Sequence, residues 1–337
     1  MSTSQNGSFP LFLAPMAGVT NTVFRKICRE KGADILTSEF VSADGIMHRN
    51  ARTRSYVEFS PEERPMGVQL FGGDPERLAE AAKQVIDWVR PDFIDINFGC
   101  PVNKVVCRHG GSSLLRDCPM LEKVAAAVVR ACDPLPVTAK IRIGWDDSSV
   151  NAVHNARLLE GVGIRRVSVH GRTRAQGYSG VANWEVIAQV AASVSIPVIG
   201  NGDVTTPEAA VHMFAETGCA GVSIGRGAFY DPWIFRRTEH LLRTGELLPE
   251  ATFAERIRVL RRHFERYVEF YGEEHGARLF RKVAPWYAKR FGPAKIFKQR
   301  IVAITSRADF DATLAEYLAW RAPFCDERGE SLPKYSP

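Results

Sequence analysis

The chain has 337 residues, 45% of them hydrophobic and 24% charged, with a net charge of +6. That makeup excludes a disordered chain, and no stretch approaches the ~18 apolar residues a bilayer-crossing helix requires. At roughly 100–200 residues per domain, one large domain with a smaller companion is expected. Met1 to Phe9 is polar and uncharged, without the layout of a secretory signal, so the expected location is cytoplasmic.

From residue 11 to 227, apolar β-rich runs alternate with helix-period segments. The predicted strands are Leu11–Met16, Ile35–Phe40, Met66–Phe71, Phe93–Phe98, Val137–Ile143, Arg166–His170, Pro197–Asn201 and Gly221–Gly225. Between them, helical patterns cover Pro75–Arg90, Met120–Ala131, Val150–Gly161, Trp184–Ala192 and Pro207–Thr217, with Asp74-Pro75 and Thr206-Pro207 as start signals. Eight such units predict an α/β fold, a (β/α)8 TIM barrel, rather than an open sheet with a glycine-rich dinucleotide turn. The segment Val41–Pro65, with His48, Arg49, Arg52 and Arg54, is long for a barrel connection and reads as an extra helix or a functional loop.

After Gly245 the period becomes purely helical. Phe253, Ile257, Leu260, Phe264, Tyr267 and Tyr271 share one face; Leu279, Val283, Trp286 and Tyr287, then Ile296, Phe297 and Ile301, then Leu314, Tyr317 and Leu318 form further apolar sets. These predict a smaller all-α helical bundle, with Pro285 marking a kink or a fresh start. The expected division is 1–245, 246–325 and a flexible tail, 326–337, the end from Cys325 reading as frayed. Charge is unequal: residues 250–337 carry 17 Lys and Arg against 12 Asp and Glu, and Gly276–Ala308 holds nine basic residues and no acidic one. Such a block attracts polyanions, although a basic run is more often a solvated helical face.

Alternation along the strands puts Gln69, Asp95, Asn97, Thr138, Lys140, Arg142, Ser168 and His170 inside the barrel; Asn201 shares a face with Ile199, and Asp203 lies just beyond. Five consecutive strands thus aim polar groups at the barrel's carboxyl end, where active sites of this fold lie. A buried unpaired polar group costs about 1–3 kcal/mol. The ring therefore implies either a polar ligand or a mutually bonded core. Gln69 and Asn201 suit an amide edge, Lys140 an accumulating negative charge, and His170 a carbonyl or phosphate. Asn201-Gly202-Asp203 and Gly225-Arg226-Gly227 supply the glycine-rich loops of a phosphate site. Flavin mononucleotide (FMN) fits that description.

The seven cysteines (28, 100, 107, 118, 132, 219 and 325) show neither a disulfide framework nor zinc spacing, so no metal is expected. Cys100 differs from the other six. It follows the fourth strand in Gly99-Cys100-Pro101 and runs toward Arg108-His109-Gly110-Gly111, which reads as a mobile lid; a thiol there suits proton donation to a substrate carbon.

Over nearly its whole length the chain resembles the tRNA-dihydrouridine synthases. The resemblance is carried by Leu13-Ala14-Pro15-Met16-Ala17-Gly18-Val19-Thr20, Val68-Gln69-Leu70, Asp95-Ile96-Asn97-Phe98-Gly99-Cys100-Pro101, Lys140-Ile141-Arg142-Ile143-Gly144-Trp145, His170-Gly171-Arg172-Thr173-Arg174, Asn201-Gly202-Asp203 and Ile224-Gly225-Arg226. It implies FMN held by Pro15, Met16, Ala17, Gln69, Lys140, His170, Asn201, Gly202, Asp203, Gly225 and Arg226. It further implies Cys100 as proton donor, and Asn97 and Arg142 as residues that position the uracil. The C-terminal helices resemble the family's tRNA-binding domain, with Arg281 and Lys282 implied as tRNA contacts, although Val283 stands where relatives often have His. The implied reaction uses NADPH to reduce FMN, then passes hydride to uracil C6 of an extruded D-loop uridine while Cys100 protonates C5. A monomer without a membrane partner is expected. Three rivals remain at this level: a flavin barrel acting on a free pyrimidine, an aldolase using Lys140 as a Schiff-base lysine, and a non-catalytic RNA-binding protein.

Overall fold

The computed structural model describes residues 9–48, 51–101 and 110–335, with the backbone alone for 51 and 52. Arg49, Cys107, the Arg108-His109 part of the expected lid and the Arg52 side chain lie outside the described residues.

Among the described residues, nine parallel strands run from Leu11 to Ile224: β1 (Leu11–Leu13), β2 (Leu36–Thr37), β3 (Val41–Ser42), β4 (Met66–Phe71), β5 (Phe93–Phe98), β6 (Val137–Arg142), β7 (Val167–His170), β8 (Val198–Asn201) and β9 (Gly221–Ile224). Their order is β1-β9-β8-β7-β6-β5-β4-β2, with the short β3 added beside β4. Phe12 bridges Ile35 in parallel, and the Leu13 amide donates to the Ile35 carbonyl at 3.0 Å, which joins the two ends. The result is a nearly closed TIM barrel of eight strands. Its helices Pro75–Val89, Cys118–Cys132, Ala152–Gly161, Trp184–Ser193 and Pro207–Thr217 coincide with the predicted ones to within about two residues. Their starts follow local chemistry: Asp74, Asp117, Asn183 and Thr206 each accept a first-turn amide through the side chain.

The barrel interior is layered. At the amino end, Phe12 and Phe93 flank the buried Arg166, whose guanidinium lies 4.7 and 4.6 Å from their ring centres. Room for these rings comes from glycines: a Cβ on Gly67 would sit 2.0 Å from the Phe93 ring, and one on Gly221 would sit 2.9 Å from Phe12. Above them, Gln69, Asp95 and Thr138 stand in register across β4, β5 and β6. Farther along the strands, Asn97, Lys140, Ser168 and Ile199 stand in register with one another, as do Arg142, His170, Asn201 and Ser223. The alternation read from the sequence therefore orients these side chains as expected.

The long segment after β2 resolves into β3, two helices (Ala43–Met47 and Ala51–Val57) and a 3-10 turn (Pro61–Glu63). An ion pair buried on both sides anchors it. Glu63 accepts from Arg25 Nε at 2.6 Å, and Arg25 also donates to the carbonyls of Thr20 and Glu58.

Two compact units divide the chain: Met1–Gly225 with Ile234–Leu247, and Arg226–Trp233 with Leu248–Pro337. In the second, Phe253, Ile257, Leu260, Phe264 and Tyr267 line the buried side of the helix Phe253–Tyr271, which begins with a Thr252–Glu255 capping box. Phe264 stacks on Phe310 at 4.0 Å between ring centres. Pro285 is a fresh start, in the first turn of the short helix Ala284–Tyr287. Leu318 departs from the predicted apolar set: it lies on the exposed side of the helix Arg307–Arg321. Residues 325–335 fold back. Arg321 donates to Gly329 O at 2.6 Å and Ser331 Oγ at 3.0 Å, and Glu330 accepts the Phe253 amide at 2.7 Å. These contacts join groups far apart in sequence, so no local pattern announces them. No described helix is long and apolar enough to cross a membrane.

Removing one member of the Arg25–Glu63 pair leaves a buried charge uncompensated. Glu63→Ala should lower the unfolding free energy by about 3–5 kcal/mol in urea titrations.

Candidate active site

The site is built where β4 to β8 end. Asp95 accepts from Gln69 Nε2 at 2.6 Å and from Thr138 Oγ1 at 2.5 Å. Gln69 Oε1 in turn accepts from Asn97 Nδ2 at 2.7 Å. Asn97 Oδ1 then receives the amides of Gly99 at 3.0 Å and Cys100 at 2.8 Å, folding the chain over directly after β5. Ser112 holds the other side of that loop by donating to the Cys100 carbonyl at 2.8 Å. The Cys100 side chain is buried and packs with Phe71 and Phe40 in a small apolar cluster.

One level along, Lys140 Nζ donates to Asn201 Oδ1 at 3.0 Å, and Asn201 Nδ2 donates to Ser223 O at 2.7 Å. An ammonium has three donors; among the described residues Lys140 uses one. Lys140 keeps some solvent contact, yet the protein around it is dense. Burial pulls its ammonium down to about 8, the Arg142 guanidinium adds to this, and Asp95 and Cys100 oppose it. Burial pushes the Asp95 carboxyl up, against the donors Thr138 and Gln69 and the cations Arg166 and Lys140.

Arg142 is buried and points into a bracket of backbone oxygens: Gly99 O at 3.0 Å, Thr173 O at 2.8 Å and Gly177 O at 2.9 Å. It thereby ties the loop after β5 to the loop after β7, with the Tyr178 ring 5.8 Å away. His170 is buried at the end of β7, beside Gly202. Gly202 has φ +121°, and a Cβ there would sit 2.7 Å from Ala182 and 3.0 Å from the His170 ring, so only glycine fits. Asp203 follows with φ +59°, held by both Arg172 nitrogens at 2.8 Å and by the Ala182 amide. At the opposite wall, Pro15 and Met16 are half-buried and Ala17 is exposed. Their loop is braced by Thr20, which accepts the Met16 amide at 3.0 Å, and by Glu39, which accepts the Gly18 amide at 2.5 Å. Gly225 closes β9; a Cβ there would come no closer than 3.4 Å to Met16 Sδ. Arg226 opens the helix Arg226–Tyr230 and belongs to the second compact unit, as do Arg281 and Lys282. Arg281 donates to the carbonyls of Ile304 and Ala303, while Lys282 is exposed.

The barrel's own predicted residues thus assemble at one end of it. Glu39, Arg172 and Ser112 were not among them. Glu39 is the next-to-last residue of the second predicted strand and could have been read by the alternation used for the other five; Arg172 and Ser112 act through loop contacts that no pattern encodes.

A family model described as dihydrouridine synthase matches residues 12–321. The chain belongs to the dihydrouridine synthase family. It is 43% identical over 311 residues to tRNA-dihydrouridine synthase B of Pseudomonas aeruginosa, a match covering 92% of this chain and 93% of that one. It is 39% identical over 307 residues to the Proteus vulgaris protein of the same name, covering 91% and 94%. Among solved structures, histamine dehydrogenase from Rhizobium sp. 4-9 superimposes with a TM-score of 0.52 at 14% identity, over 75% of this chain and 48% of that one, and shows the shared barrel fold. A dihydrouridine synthase is an oxidoreductase, since its product carries two hydrogens more than uridine.

The depressed Lys140 gives a signature in the ligand-free protein. The unfolded chain keeps this proton to about pH 10.5 and the folded chain only to about 8. Stability should therefore rise with pH between those values, and Lys140→Met should remove that rise in urea titrations at stepped pH.

Proposed function

We propose that the protein reduces uridines of the tRNA D-loop to 5,6-dihydrouridine, with FMN bound at the barrel mouth, NADPH as the source of electrons, and the cytoplasm as its place of action. The observation that carries this reading is the pair of Lys140 and Cys100 at the carboxyl ends of adjacent strands, in a chain of this family. The residues suit a flavin: Lys140 has two uncommitted donors among the described residues, and Gly202 turns tightly beside His170 at φ +121°. Pro15, Met16 and Ala17 would wall the ring, and Gln69, Lys140 and Asn201 would meet its polar edge. His170, Gly202, Asp203 and Gly225 would hold the phosphate. When bound, the reduced flavin supplies the hydride that saturates the uracil.

The remaining chemistry falls to side chains. Cys100 gives its proton to uracil C5. Asn97 fixes the turn that presents Cys100, and Arg142 braces the Gly99 carbonyl beside it, which shapes the space for the base. Lys140 would favour negative charge on a bound ring. A base inside a stack offers no face to the ring, so the uridine must leave its stack before it reacts.

In the helical unit the basic block is partly neutralised: Arg278, Arg290, Arg300 and Arg307 pair with Glu274, Glu250, Glu316 and both Glu265 and Glu273. Lys282, Lys295 and Lys298 are exposed and have no carboxylate partner among the described residues. They would supply phosphate contacts that position tRNA without reading its bases. Arg281 supports them by fixing the end of the helix Lys295–Ile301.

Cys100→Ala should keep flavin colour and tRNA affinity but abolish dihydrouridine, read as the loss of the two-hydrogen mass gain in tRNA; full activity in that variant would reject the role of the thiol. Replacing Lys282, Lys295 and Lys298 by Ala should weaken tRNA binding. The slope of log K against log salt should then become shallower by about 0.7–0.9 per lysine, whereas salt-independent turnover of free uracil would favour a small-molecule flavin barrel.

A further inference from the structure

Asp95 lies below the mouth and is itself assigned to neither flavin nor uracil, but it bonds to Gln69, which in turn bonds to Asn97. Its place in the hydrogen-bond chain gives it a definite task. The chain has five hydrogen bonds: Thr138 and Gln69 donate to Asp95, Asn97 donates to Gln69, and the Gly99 and Cys100 amides donate to Asn97. Its upper end consists of backbone N–H groups, which only donate. Asn97 must therefore turn Oδ1 toward them and Nδ2 toward Gln69, and Gln69 must accept with Oε1 and donate with Nε2. That orientation is satisfied only if the group beneath Gln69 is an acceptor. Asp95 Oδ2 is that acceptor. A proton on Asp95, when present, goes to Oδ1, because the Thr138 hydroxyl is able to accept as well as donate. Oδ2 thus stays an acceptor in either state.

We propose that Asp95 is a positioning residue that sets the direction of this chain and thereby holds the Cys100 loop in its working conformation. Without an acceptor at this place, Gln69 is free to turn its amide over. Asn97 would then face Gln69 donor to donor, or turn as well and present Nδ2 to the two backbone amides. Either outcome breaks the turn after β5 and moves the thiol. A displacement of about 1 Å at a reacting group is worth up to about a hundredfold in rate.

The inference rests on Cys100 as proton donor, but its test separates the two. Alkylation of Cys100 by iodoacetamide, mapped by peptide mass spectrometry in protein stripped of flavin, reports the loop without reference to turnover. Asp95→Asn should react at the wild-type rate, because its Nδ2 is able to face Thr138 and leave Oδ1 for Gln69. Asp95→Leu should change the alkylation rate at least tenfold and lower kcat by about a hundredfold, with KM for tRNA unchanged. Combining Asp95→Asn with Thr138→Val removes the acceptor for that Nδ2; the pair should depart at least tenfold from the product of the single effects. Wild-type alkylation in Asp95→Leu, or simple multiplication of the Asn and Val effects, would overturn the proposal. The Asn variant and the double variant keep near-native side-chain volume, so the test stands even if Asp95→Leu fails to fold. Altered alkylation alongside an active Cys100→Ala would leave the chain intact as a mechanism of loop positioning and remove only the role of the thiol.

Discussion

A barrel interior has no water to spare, so each polar group placed there must find a partner of the complementary kind. This single requirement organises the upper half of the molecule. An acceptor-only carboxylate oxygen at the centre and donor-only amides at the rim leave Gln69 and Asn97 one orientation each. The lower members of the ring bond to one another, while Lys140 uses one of its three donors among the described residues.

Electrostatics follows the same vertical order. Arg166, held between Phe12 and Phe93, is cationic at the bottom; Asp95 lies in the middle; Lys140 and Arg142 are cationic above. Each charge is tempered by the next, as in the opposing influences on Asp95 and Lys140. The aromatic floor is possible because Gly67 and Gly221 carry no Cβ, and it closes the end of the barrel remote from the chemistry. In this fold, residues at that end serve stability and those at the carboxyl ends serve function.

The loops repeat the logic outside the strands. Arg142 and Arg172, both buried, spend their guanidinium donors on backbone carbonyls and on Asp203, and so hold loops after β5, β7 and β8 to one another. Glu39 does the same for the loop after β1 through Gly18. Buried ionic groups fully engaged in this way define loop geometry more than they add stability.

Strand and helix order, the inward-facing polar set and the position of Cys100 just past β5 were determined by the sequence alone. They follow from period-two alternation and from cap residues that act within a few positions of themselves. Met66–Phe71 and Phe93–Phe98 were legible to the residue because apolar and polar positions alternate cleanly there. Closure of the barrel decided the rest. It chose Asp95 for Gln69, Asn201 for Lys140, Gly99 for Arg142 and Gly18 for Glu39, pairs separated by 21 to 61 positions. The fold-back of residues 325–335 and the outward turn of Leu318 belong to this second class. Such contacts are set by where whole elements come to rest, which no local pattern records.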